Sequence, residues 1–137
     1  MAKVKSTPAP LWLSAMSDIV DGLPAWASRD RTGGTRPPTV GCRRAAKRAL
    51  RAAAAAGLDP SRVIGGADGD IAILFSAAGR QVELAIVSES TAVTTLETDP
   101  LGEAEFAEWG TDGRSLAEAV RVIADFLRAG AEAEEAA

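Results

Sequence analysis

The sequence predicts an α+β domain in which an antiparallel β-meander of three to four strands packs with three helices, in the order α-α-β-β-β-(β)-α. Two helical segments precede Gly57, short apolar runs divided by turn residues fill residues 71–97, and helical spacing returns after Ser115. The boundaries read as an N-terminal arm over 1–9, a single domain over 10–130 and a disordered Ala/Glu tail over 131–137.

The arm contains Lys, Ser and Pro without apolar periodicity. From Leu11 to Leu23, the residues Trp12, Leu13, Met16, Ile19, Val20 and Leu23 recur at spacings of three and four, which makes one wide helical stripe. Gly22 and Pro24 end it, and the polar stretch Ser28 to Pro38 reads as a loop, with Trp26 folding back onto the core. Thr39 is placed to cap a second helix that runs through an alanine-dominated segment to Ala56, with Gly57 as its stop. At 100° per residue, Cys42, Ala45, Ala46, Ala49, Ala52, Ala53 and Ala56 share one side. Arg43, Arg44, Lys47, Arg48 and Arg51 share the other.

A Gly57-Leu58-Asp59-Pro60 turn and a short extended stretch, Arg62 to Ile64, lead into the glycine-rich connection Gly65 to Asp70. Ile71 to Ser76 and Gln81 to Val87 are strands joined by the hairpin residues Ala77-Ala78-Gly79-Arg80, and Thr91 to Glu97 is a third strand. Glu103 to Trp109 fits either a fourth strand or a helical turn joining Phe106 to Trp109. Ser115-Leu116-Ala117-Glu118 has the form of a capping box, and Leu116, Val120, Ile123 and Leu127 continue at helical spacing until Gly130.

The 137 residues suffice for one core, and 47% hydrophobic with 25% charged residues is the composition of a globular domain. Histidine and tyrosine are absent and cysteine occurs once, which removes most familiar catalytic and metal-binding sets. The longest apolar run, Ile71 to Phe75, has the length of a strand, far short of the roughly 20 residues a membrane helix needs. Without a leader-like segment, the expected location is the cytoplasm, with no membrane partner.

Charge is strongly segregated. The first 65 residues carry 11 Lys/Arg against 4 Asp/Glu, and the rest carry 4 against 15. Three readings fit: an electrostatically steered partner, docking of the two halves on each other, or an acidic face that maintains solubility.

Cys42 is the one reactive-looking group, because the start of a helix beside Arg43 and Arg44 lowers a thiol pKa; the alternative is a small buried side chain on the alanine face. Asp68-Gly69-Asp70 lacks the later ligands of a calcium loop, and Gly65-Gly66 with Gly69 precedes a strand where a dinucleotide site needs a helix, so both read as turn chemistry. Glu103, Glu105 and Glu108 read as a solvated acidic face. No cofactor, metal or catalytic residue is expected. The basic side of the second helix fits an acidic protein surface, nucleic acid or solvent, although a pI near 4.9 and the lack of stacking aromatics oppose non-specific nucleic-acid binding.

Asp21-Gly22, Pro37-Pro38-Thr39, Gly57-Leu58-Asp59-Pro60 and Asp68-Gly69-Asp70-Ile71 together resemble a pattern found in a group of small uncharacterised bacterial proteins. That pattern has a Trp-Asp-Gly-like turn, a Pro-Pro-Ser/Thr helix start and an Asp-Gly-Gly-Ile/Val hairpin. The resemblance spans about residues 11–127. Val20 stands where the group has tryptophan, and Asp70 where it has glycine. It implies no active site; it implies a bacterial accessory protein, the small partner of a larger effector as in toxin–antitoxin or phage-defence pairs.

The expected function is therefore binding: a small regulatory or scaffolding subunit of a larger protein complex. Its partner-binding residues would be Arg43, Arg44, Lys47, Arg48 and Arg51, or Phe106 and Trp109 among the acidic residues, where the two aromatics serve either as interface anchors or as core. The alternatives are a nucleic-acid-binding regulator using the same basic helix, and a minimal enzyme using Cys42.

Overall fold

A computed structural model describes residues 9–23, 36–66, 68–98 and 103–136. Helices α1 (Leu11–Gly22) and α2 (Val40–Ala55) come first. Strands β1 (Arg62–Gly65), β2 (Ile71–Ala77), β3 (Arg80–Ile86), β4 (Ala92–Thr98) and β5 (Glu103–Trp109) follow, and α3 (Gly113–Ala136) ends the order. All neighbours in the β1-β2-β3-β4-β5 sheet are antiparallel. The fold is α+β, as the sequence predicts, with five strands where three to four were expected. The extra one is the short stretch from Arg62, which pairs with β2 and turns at the glycine-rich connection, where the Gly66 N–H donates to the Asp70 carbonyl at 2.9 Å. Residues 103–109 are a strand, paired with β4 along their whole length.

The helices lie against one face of the sheet. Ile71, Ile73 and Phe75 of β2, Val82, Leu84 and Ile86 of β3, and Leu96 of β4 meet Leu50 of α2 and Leu116, Ile123 and Leu127 of α3 in one cluster. On α2, Cys42, Ala45, Ala46, Ala49 and Ala53 are buried. Side chains this small let the helix axis sit close to its neighbours. Thr39 caps α2 by accepting the Cys42 N–H at 3.1 Å. At the other end Gly57, with φ +73°, closes a Schellman turn in which the N–H groups of Leu58 and Gly57 donate to the carbonyls of Ala53 and Ala54. α1 packs mainly on α2, through Val20 and the half-buried Trp12, Leu13 and Met16. Ile19, expected in that stripe, faces solvent. The Trp12 indole N–H donates to Asp59 at 2.8 Å and ties α1 to the turn after α2.

Two expectations for α3 need correction. Its cap is Asp112, three residues ahead of the Ser115 of the expected capping box: the carboxylate accepts the Ser115 backbone N–H at 2.9 Å and the Ser115 hydroxyl at 2.8 Å. Nor does the helix stop at Gly130; it continues to Ala136, so the tail is helical to that point. Gly130 is buried, and a Cβ built there would meet the Arg80 side chain at 2.7 Å. The missing side chain admits Arg80, whose guanidinium donates to the Phe126 carbonyl at 2.8 Å and lies 4.7 Å from the Phe126 ring centre. Glycine serves here as a packing contact, and the Ala/Glu sequence beyond it is good helix former. The expectations for the N-terminal arm over 1–8, for Trp26 and for most of the loop before Pro38 lie outside the described residues.

The β2–β3 hairpin turns on Ala78 and Gly79, with φ +52° and +74°. Two positive φ values define a type I′ turn, which favours Asn at the first position over a residue with an unassisted Cβ. Ala78→Asn is expected to raise stability by about 0.5–1 kcal/mol in urea unfolding. At Asp112, the Ser115 backbone N–H, then its hydroxyl, hold the carboxyl below its ordinary value. The folded-state pKa is depressed, so the stabilisation is in place above the unfolded carboxylate pKa and is lost as pH falls through the folded one. Asp112→Ala is expected to lower Tm at pH 7 and to narrow that gap as the buffer is taken into the acidic carboxylate range.

Candidate binding surface

The five cations of α2 divide by what they touch. The Arg43 guanidinium donates to the Pro38 carbonyl at 2.9 Å, and its Nε is buried without a partner among the described residues. Lys47 pairs with Asp21 of α1 at 2.8 Å. Arg48 donates to the Thr111 carbonyl at 2.6 Å, and the Thr111 hydroxyl donates to the Glu89 carbonyl. These three side chains link α2 to the loop before it, to α1 and to the β5–α3 junction. Arg44 and Arg51 are the exposed members, seven residues apart and so on one stripe of the helix. Arg51 borders a shallow depression of about 430 Å³ next to Leu11, which is 94% exposed.

Phe106 and Trp109 are separated by the alternation of β5. Trp109 points to the helix side, half-buried, and its indole N–H donates to the buried Thr94 hydroxyl at 2.9 Å. Phe106 points to the opposite face and is 72% exposed. Among the described residues no helix covers that opposite face.

The strand register defines its composition. One row across the sheet is Arg62, Leu74, Glu83, Thr95 and Phe106; the next is Ile64, Ala72, Ala85, Val93 and Glu108. An apolar band of Ile64, Ala72, Leu74, Ala85, Val93 and Phe106 therefore crosses all five strands, in which Ala72 is buried, Phe106 is exposed and the other four are partly buried. Glu83, Glu97 and Glu108 give the face its charge, against Arg62 alone among the paired positions. A depression of about 440 Å³ lies there, lined in part by Leu74, Gln81, Glu83 and Thr95. The sequence reading passed over Ile64, Leu74, Ala85 and Val93. Its usable signal was the unbroken run Ile71 to Phe75, because a strand apolar at consecutive positions offers apolar groups to both faces.

Cys42 lies on the alanine side of α2, buried, with its sulfur 3.4 Å from the Ile86 carbonyl oxygen and 3.6 Å from that of Gly69. Burial pushes its thiol pKa up, the Asp70 charge adds to this, and Arg43 opposes it only in part. Of the two sequence readings of Cys42, the small buried side chain on the alanine face is the one the structure shows, and desolvation outweighs the helix start. Among the described residues no cluster of three or more His, Cys, Asp or Glu could hold a metal ion, and no helix is long and apolar enough to cross a membrane.

What the fold and this surface define is a class: a two-layer α+β domain with helices on one sheet face and an acidic, apolar-banded open face. Comparison with protein families, with curated proteins and with solved structures finds no match.

The thiol of the folded chain is expected to react with a disulfide reagent at pH 8 at least about tenfold more slowly than that of the chain in denaturant. Equal rates in the two conditions would contradict the buried placement of Cys42.

Proposed function

We propose that this chain is a non-catalytic protein-binding module, a small regulatory or scaffolding subunit, and that it meets its partner through the open sheet face around Phe106. The observation that supports this best is that exposed aromatic at one end of an apolar band, on a five-stranded face that no described element covers. A large aromatic side chain is costly to leave in water, and aromatic side chains are common anchors at interfaces. The glutamates around the band suit a partner with an apolar centre and a basic rim. A larger bacterial effector, as in toxin–antitoxin or phage-defence pairs, is the kind of partner the turn-motif resemblance suggests, with the cytoplasm as the place of action.

Nucleic acid is the second reading, favoured by the exposed Arg44 and Arg51. It is the weaker one. Three of the five cations on that helix already serve contacts within the chain, and the open face carries the wrong sign of charge for a phosphate backbone.

The test is affinity capture by the tagged full chain from its source cells, at low and high salt, with and without nuclease. Wild type is compared with Phe106→Asp and with the double variant Arg44→Glu/Arg51→Glu. A stoichiometric, nuclease-resistant protein is expected, bound at least about tenfold more weakly by Phe106→Asp and unchanged by the double variant. Nuclease-sensitive material that is lost with the double variant would replace this reading with the nucleic-acid one.

A further inference from the structure

The sheet has two edges, and they are unequal. β1 has four residues and α1 packs against it. β5 has seven residues, and among the described residues no strand pairs with its outer side. Glu105, Phe106, Ala107 and Glu108 are exposed in succession, so β5 is exposed on both faces of the sheet over these residues. A full-length free edge is a template for another strand.

Three glutamates in β5 oppose most pairings and thereby select among them. In an antiparallel pair of two β5 strands about a two-fold axis, centring on Glu105 sets that residue opposite its own copy, and centring on Ala107 leaves Glu103 and Ala104 beyond the paired strand. Centring on Phe106 pairs all seven residues: Phe106 meets Phe106, Glu105 meets Ala107, Ala104 meets Glu108, and Glu103 meets Trp109. No glutamate then faces a glutamate directly, and the two exposed rings meet on the open face as an aromatic cross-strand pair.

We propose that β5 pairs in this register with β5 of a second copy, joining the two sheets into one continuous sheet with Phe106 at the two-fold axis. This goes beyond the partner-binding reading and does not rest on it. Each subunit keeps its open face, and the dimer presents two such faces side by side.

The experiment is sedimentation equilibrium of the full chain from about 1 to about 500 μM, with circular dichroism to confirm folding of each variant. Ala107 is exposed, so charged residues are accommodated there. Ala107→Lys sets a cation opposite the partner's Glu105 and is expected to tighten the dimer at least about threefold; Ala107→Glu sets like charges opposite each other and is expected to weaken it by a similar factor. Ala104→Lys, opposite the partner's Glu108, is expected to tighten the dimer from the other face. A monomer at every concentration overturns the proposal. So does a dimer whose Kd moves in the same direction, or not at all, in the two Ala107 variants. Loss of a cellular partner in Phe106→Asp with this self-association absent would leave the binding reading standing and this one refuted.

Discussion

The close seat of α2 on the sheet is the constraint from which the other contacts follow. Ala45, Ala46, Ala49 and Ala53 are fully buried, and the Cys42 sulfur lies within hydrogen-bonding reach of strand and loop carbonyls. A larger side chain at any of these positions would have to push the helix away from the elements packed around it, and overpacking of this kind typically costs about 1–3 kcal/mol. The displacement would not stay local, because α1 and α3 both pack on α2. With few aromatics in the chain, the core volume comes from branched aliphatic residues of the strands and α3, and the alanine helix closes the distance those residues cannot fill.

That seat also explains where the basic residues go. A helix pressed inward brings the stems of Arg43, Lys47 and Arg48 near the loop before it, α1 and the β5–α3 junction, where free carbonyls and one carboxylate accept them. Long cationic side chains bury their methylenes while their heads reach a polar group, so a basic helix face need not be a binding face. Among the described residues, no ion pair joins the basic half of the sequence to the acidic half. The pairs Lys47–Asp21 and Arg128–Asp125 each lie within one half, and the halves meet through the apolar contacts of α2 with the sheet and α3.

How far the sequence could be read depended on the kind of signal. Helical spacing located α1 and the core positions of α3, alanine content and the Thr39 cap located α2, and runs of strand-forming residues between turns located β2, β3 and β4. β5 was ambiguous because, exposed on both faces over most of its length, it has no buried face to impose a pattern, and only pairing with β4 settles it as a strand. Gly130 misled because a glycine in a helix is usually a stop, whereas here the partner that fills its space, Arg80, is about fifty residues earlier in the chain. Of the candidate surface, Phe106 alone could be singled out from the sequence, with Trp109, as aromatics among acidic residues. The face around it could not, because membership of a face depends on register between strands, and no single segment of sequence carries that.

The exposure of β5 follows from the path of α3. The helix begins directly after Trp109, beside the end of the sheet where Ile71, Ile86 and Ala92 align with that residue, and it must cross toward β2 to place Phe126 and Gly130 under Arg80 at the far hairpin. A straight helix on that diagonal covers β5 only near Trp109. By the level of Ala107 and Glu105 it has moved over the inner strands, and both residues are exposed even though they point to the helix side of the sheet. α1 does not compensate, since it lies on α2 at the β1 side. One topological choice, a C-terminal helix returning across its own sheet, thus leaves the last strand, among the described residues, unpaired along its edge and exposed on both faces over most of its length. A strand so placed adds little to the core of its own domain. Trp109 alone of its residues packs, half-buried, against the core cluster, while Phe106 stands 72% exposed on the other face.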